Sequence, residues 1–313
     1  MIKKLIKILI IIFLILVLLI FYLSIFGIKT KKFNSQITNS ILETNKKIDL
    51  NLKDVKYLLN PYNLTINIKT KNPEILLEGR SLEIQDIQTN IAINSLIKSQ
   101  FLIDDLLITT KAIKLNDVIA SARIFQNTPQ LFLLDTIVKD GVVIADINLK
   151  FDEKGNIKEN YTIIGSVKKA KLNVLNQAKL ENLNFEFNIV KNKYLLKQID
   201  TKFNNIKVTS SLIEIKKKKN LFFVDGQFLN ENKNFDIEEL KPFFSNLFNI
   251  IGLKKIEFKS KNNFSFNIDE NFKLNDLKIE SILDLNQLIL NKKNLKLNQY
   301  FPSFKEEIKL EKH

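Results

Sequence analysis

No cysteine occurs in this chain, so it can build no disulfide framework, no thiolate metal site and no cysteine nucleophile. Its single histidine is His313, which gives no basis for a Ser-His-Asp triad, a histidine metal site or an imidazole base. The seven glycines stand apart at 27, 79, 141, 155, 165, 226 and 252, and no phosphate-cradling loop can be drawn from them. Only two of the 48 basic residues are arginine, Arg80 and Arg123, although the net charge is +14. Base-edge reading relies on the bidentate guanidinium, so nucleic acid is not an expected partner. Lysines beside a membrane would instead attract anionic headgroups.

Acidic residues add no chemistry. Asp104-Asp105 and Glu238-Glu239 are sequence neighbours, which a strand would aim at opposite faces, whereas paired carboxylates need convergent geometry. The stretch Asp152 to Asn156 lacks the alternating ligands and distal Glu of a calcium loop and reads as a turn. The expectation is a protein that is not an enzyme and needs no cofactor or metal.

What the chain does have is a long hydrophobic run. Ile8 to Ile28 carries no charge, with Lys3, Lys4 and Lys7 before it and Lys29, Lys31 and Lys32 after it. As a helix it would be about 31 Å long, the thickness of a bilayer's hydrocarbon core. A cleaved signal peptide would have a shorter apolar region and a small-x-small site after it. The run therefore reads as an uncleaved membrane anchor. Lysines flank both ends equally and give no loop-charge bias. The expected topology has the short N-terminus in the cytoplasm and the long C-terminal part across the membrane.

Beyond residue 48 the apolar pattern has period two. Ile48, Leu50 and Leu52 alternate with polar residues, as do Leu64, Ile66 and Ile68, then Val143, Ala145, Ile147, Leu149 and Phe151, and Phe264, Phe266 and Ile268. These read as strands with one apolar face. Asn60-Pro61, Asn72-Pro73 and Asn230-Glu231-Asn232 punctuate them, and Lys216 to Lys219 reads as a solvated hairpin turn.

An apolar-x-x-apolar motif recurs at Leu52-Val55, Ile84-Ile87, Ile103-Leu106, Leu180-Leu183, Phe203-Ile206, Leu253-Ile256 and Leu274-Leu277. In a strict strand its second apolar residue would fall on the wrong face. Each copy is therefore expected to be a bulge or tight bend that restores register.

Helical spacing is confined to three places. One short helix follows Asn34 or Ser35 and ends near Lys47; a second region covers Asn116 to Lys139, broken near Thr128-Pro129 and stopped by Gly141; a third runs from Asp236 to Ile251. The third places Leu240, Phe243, Phe244, Leu247, Phe248 and Ile251 on one side, suited to plain core, to plugging a sheet opening or to lying on lipid.

The anchor, the short helix to Lys47, and the run Leu96 to Ile108 followed by Ile113-Lys114-Leu115 resemble the N-terminal part of the AsmA-like family. Gly141 onward, through Gly165-Ser166-Val167, Ala170-Lys171-Leu172, Leu180 to Phe187 and Val224-Asp225-Gly226, is similar to the β-repeats of that family and its TamB relatives. The resemblance implies an inner-membrane anchor in a bacterium with two membranes, a periplasmic β-groove and a role in moving phospholipid toward the outer membrane. It carries no catalytic or ligand motif. Larger members continue with more repeats, so the expectation is the N-terminal portion of a longer groove or a short member that needs a partner.

The expected fold is mainly β, with a single N-terminal transmembrane helix, a long twisted, curled antiparallel sheet and a few short helices. The domains are 1–30, the anchor; 31–140, an AsmA-like β region with short helices; and 141–313, a β-repeat region. A phospholipid with roughly thirty methylenes loses on the order of 20 kcal/mol if they enter water. A continuous apolar β face offsets nearly all of that. Val143, Ala145, Ile147, Leu149 and Phe151 are the expected lipid-facing residues. The alternative is a scaffolding envelope protein whose closed β core binds other envelope proteins through edge strands.

Overall fold

The computed structural model describes residues 2–32, 34–35, 38–39, 42, 47–94, 103–125, 127–152, 158–174, 178–204, 206–231, 235, 253–269, 273–291, 300, 302 and 307–311. In the first expected helix Asn34, Ser35, Thr38, Asn39 and Leu42 are helical; the expected Asp236 to Ile251 helix, and Leu96 to Leu102 of the run that carries the family resemblance, lie outside the described residues.

The anchor folds as α1, Ile2–Ile25, within which Lys3–Ile25 is long and apolar enough to cross a membrane and is not buried by the protein. Ser24 Oγ donates to the Ile20 carbonyl at 2.8 Å, satisfying its hydroxyl within the helix. Gly27, at φ 65°, ends the helix in the left-handed region. A Cβ there would collide with the Tyr57 carbonyl oxygen and would stand 2.9 Å from a Leu58 methyl. The chain leaves Gly27 directly into β1, Ile28–Thr30.

The chain divides into two compact units, Met1–Leu131 with Ile144–Gly165, and Phe132–Val143 with Ser166–His313. Strand pairing is antiparallel and the sheet is open.

In the first unit, β1 pairs with β3, Val55–Asn60, and β3 with β4, Thr65–Lys71. β4 pairs with the second half of β6, Arg80–Ala92. The first half of β6 carries β5, Glu74–Leu77, which in turn carries β2, Ile48–Asn51. β6 then pairs with β7, Ile103–Thr110, and β7 with β9, Val138–Lys150. Between β7 and β9 in the chain come β8, Ile113–Lys114, and the helices α2, Leu115–Phe125, and α3, Pro129–Ile137; Phe132 to Val143, most of α3 and the start of β9, belong to the second unit.

The second unit is a meander. It contains β10, Thr162–Val174, of which Ser166 onward belongs here, and β11, Ala178–Val190. Next come β12, Lys193–Phe203, β13, Ile206–Lys218, and β14, Leu221–Asn230. The last are β15, Leu253–Asp269, β16, Leu274–Asn291, and β17, Glu307–Glu311. From β11 to β17 each strand pairs with the next. Two-residue turns, Lys191-Asn192 and Lys219-Asn220, close the β11–β12 and β13–β14 hairpins. Phe235 stacks on Phe258 with ring centroids 4.5 Å apart, beside Ile206, Val208, Leu253 and Ile256.

Five of the recurring motifs are bulges. One extra residue enters β6 between Ile84 and Asp86, β7 between Ile103 and Asp105, β11 between Glu181 and Asn184, β15 between Leu253 and Lys255, and β16 between Asn275 and Lys278. Asn182 and Asp276 take φ of 52° and 53° at two of them, side chains that tolerate the left-handed region. The Phe203 copy is a hairpin turn, with Asn204 at φ 46°, and the Leu52 copy is the link between β2 and β3.

Several expectations need correction. Leu64 is not a strand residue: it closes the turn after Pro61 at φ 50° and is 61% exposed, while Asn60 Oδ1 accepts the amides of Tyr62 and Asn63. Leu52 lies just past β2. The second helical region ends at Ile137, because β-branched Val138 already opens β9 and Gly141 lies inside that strand. Lys216 to Lys218 belong to β13, and only Lys219 enters the turn.

Candidate functional site

Because bulges restore register, the pairings of the second unit line apolar side chains into rows across its strands. One row runs Phe187, Leu196, Ile213, Gly226, Phe264 and Ile279 through β11 to β16. A second runs Ile189, Tyr194, Ile215, Val224 and Phe266. Lying two residues apart on each strand, the rows share one face. The row between them, on the opposite face, reads Asn188, Leu195, Glu214, Asp225, Ser265 and Lys278 and is mostly polar.

The apolar rows are lined more than they are filled. Val224 and Phe264 are buried, but Phe187, Ile189, Tyr194, Leu196, Ile213, Ile215 and Phe266 are only half-buried, and Ile279 is 60% exposed. Neighbours on the same sheet cover such side chains laterally. Among the described residues of the whole chain, Val55 alone is a large side chain with less than 2% exposure. Phe264 stacks between Phe228 at 4.6 Å and Phe266 at 5.9 Å.

The expected lipid-facing residues all lie on or beside β9. Val143 and Ala145 are buried at 9% exposure each, and Ile147 and Leu149 are half-buried. Phe151 stands one residue beyond β9 as a single bridge residue, also half-buried. Their sequence neighbours Ile144 and Asp146 face the other way and are exposed. In the first unit Ile147 continues a row from Val55 through Thr70, Ile87 and Ile108. Leu149 continues another from Tyr57 through Ile68, Thr89 and Leu106. Burial pushes the Tyr57 hydroxyl above its ordinary pKa. Val143 belongs to the second unit and Ala145 to Phe151 to the first. Ala145 donates its backbone amide to Thr110 Oγ1 at 2.8 Å.

Alternation marks Phe264 and Phe266 of these rows but not their partners on β11 to β14 and β16, where bulges interrupt the pattern. Gly226 gave the available signal: an isolated glycine inside a strand marks close approach by a neighbour.

The polar face holds an open depression of about 470 Å³ lined by Ser211, Asp225, Gln227, Asn263, Lys278 and Glu280 among others. Glu214, on the same face, pairs with Lys193 at 2.5 Å and Lys216 at 2.6 Å, and these hydrogen bonds hold its carboxyl below the ordinary pKa. Asp105 accepts from the Asn90 amide at 3.2 Å and side chain at 3.0 Å and lies 4.0 Å from Lys150. No group of His, Asp and Glu that could hold a metal occurs among the described residues. What the arrangement offers is apolar area on one face of the strands. No protein-family model matches this chain, and neither a curated protein nor a solved structure is found to match it.

Proposed function

We propose that this is a membrane-anchored periplasmic protein whose apolar β faces shield phospholipid acyl chains and contribute to lipid transport between inner and outer membranes. The observation that carries the reading is the pair of half-buried rows, Phe187 to Ile279 and Ile189 to Phe266, on an open sheet. Lateral packing has already ordered these side chains, so a guest chain meets a prepared surface and gains about 0.8 kcal/mol for each methylene it buries. The anchor α1 would hold that surface beside its source of lipid, with the N-terminus cytoplasmic and the sheet across the inner membrane. Membrane phospholipids are then the partners, nucleic acid is not one, and no catalysis is required. The AsmA-like resemblance supports the same reading.

A second reading, a scaffold that binds other envelope proteins, is favoured by one feature. Among the described residues β17 pairs only with Gln287–Asn291 of β16, and no strand pairs with the rest of that edge. Ile279, Ile282 and Leu283 there are 60–68% exposed. Such an edge can accept a partner's strand.

Photo-crosslinking in cells decides between them. A photoreactive phenylalanine at Ile147 or Ile213 is expected to give phospholipid adducts. Protein-only adducts, or none, at both positions would favour the scaffold. A reporter fused after His313 that remained in the cytoplasm would overturn the topology.

A further inference from the structure

One end of the second unit is built from lysine. The Lys191-Asn192 and Lys219-Asn220 turns lie at the same end of the meander, because Lys193 pairs with Lys216 across β12 and β13. Lys216, Lys217 and Lys218 finish β13 there, and Lys273 precedes β16 at the same end. Against these seven lysines the described residues of this end set Asp269, Asp276 beside Asn267 and, deeper, the paired Glu214 and Asp225. Glu214 is engaged by Lys193 and Lys216, and the seven lysines outnumber the four described carboxylates of this end.

Two features indicate that the lysines are placed for an external partner. Lys191 and Lys219 both stand at φ 53°, the region that glycine or asparagine usually fills in a turn. A lysine in that position, at two separate tips followed each time by asparagine, stands where steric preference favours glycine or asparagine, and it carries a cation out at each tip. The tips are also held together: the Lys217 amide donates to the Asn192 carbonyl at 2.8 Å. They sit two strands apart, about 10 Å at the usual strand spacing. Around them the rim is amphipathic. Lys217 lies 5.5 Å from the Phe222 ring centre and Lys218 5.4 Å from that of Phe223, while Val190 and Leu221 are 43% and 36% exposed.

We propose that this hairpin end docks onto an anionic lipid bilayer surface, its lysines among the headgroup phosphates and Val190 and Leu221 at the acyl boundary. Lysine suits that partner: it is a compact, mobile point charge on an apolar stem, adapted to a fluid array of phosphates more than to the planar fork recognition that arginine provides. Juxtamembrane lysine clusters gain attraction additively from an anionic leaflet and lose it with salt. The inference rests on charge and turn geometry alone and does not require the apolar rows to carry lipid.

The test uses the full chain, which has no cysteine of its own. Asn220→Cys carries an environment-sensitive fluorophore, and the protein is reconstituted in phosphatidylcholine nanodiscs. Vesicles with added phosphatidylglycerol are supplied, or the nanodisc itself is made with it. A blue shift in either arm that pure phosphatidylcholine does not produce, and that rising salt abolishes, is expected. The triple variant K217Q/K218Q/K219Q should weaken the response by about a hundredfold, the worth of three lysines beside an anionic leaflet. A label at Lys207→Cys, at the opposite end of β13, should stay silent and reports whether the sheet remains folded. No shift in either arm, an equal shift with phosphatidylcholine, an equal shift at Lys207→Cys or an unweakened triple variant would each overturn the proposal. Lipid adducts at Ile213 are read separately, so failure here and failure of the lipid-shielding reading are distinguishable.

Discussion

The Phe264 ring lies over Gly226, so close that a Cβ on Gly226 would stand 2.8 Å from Phe264 Cζ and 3.0 Å from Ile213 Cγ1. The glycine is the gap in an apolar row, and the aromatic ring fills it from the next strand. Gly226→Val should therefore destabilise the second unit by about 1–3 kcal/mol through overpacking, measured by urea unfolding. Phe264→Leu in the same chain should recover part of that loss, giving a coupling between the two sites. Additive losses would mean that the ring and the glycine are not in contact.

Ile213 shares that row and is half-buried. Ile213→Asp places a charge on the face proposed to touch acyl chains, while leaving every ladder hydrogen bond available. Native mass spectrometry of the variant should find markedly less co-purified phospholipid than wild type, with an unchanged circular dichroism spectrum. Ser265→Asp, on the polar face, should retain the lipid. Equal lipid in both variants would remove this row from the binding surface.

Much of this architecture is legible in the residues, and the parts that are not have a common cause. Alternation finds β9 and places Ile147 and Leu149 on one face, because a regular strand keeps period two. The apolar-x-x-apolar spacing locates bulges at Gln85, Asp104 and Lys254, since an extra residue is the local way to keep both apolar ends on one side. Leu196-Lys197-Gln198-Ile199 has the same spacing, with Gln198 at φ 51° and the register shifted beside it. What could not be read is which strands lie side by side. The row from Phe187 to Ile279 joins residues 92 positions apart in the chain, and that adjacency comes from the meander, not from any local pattern. Val138 marks a different limit. Apolar residues from Leu131 to Val138 fit a helix, yet the strand pairing of β9 claims the last of them.

Asn182 tests the bulge on β11. It stands at φ 52°, and its carbonyl accepts the Asn184 side chain at 2.7 Å. Asn182→Val should cost about 1–2 kcal/mol, because a β-branched residue resists the left-handed region. Asn182→Gly should be neutral or slightly stabilising. Equal destabilisation by both, read from urea midpoints, would show that backbone conformation is not what the position requires.

Glu214 gives the pH dependence. Its carboxyl is held below the ordinary value by hydrogen bonds from Lys193 and Lys216, so the folded state binds a proton less readily than the unfolded chain. The resulting stabilisation is present above the ordinary carboxyl pKa of about 4.3. It is lost as pH falls from there through the lowered folded value. Wild type should therefore lose more stability than Glu214→Gln between neutral pH and acid, measured by urea unfolding across that range. Rising salt at neutral pH should narrow the gap between the two proteins, since both lysines are partly exposed. Parallel pH profiles for wild type and Glu214→Gln would mean that the two lysines do not hold the carboxylate in solution.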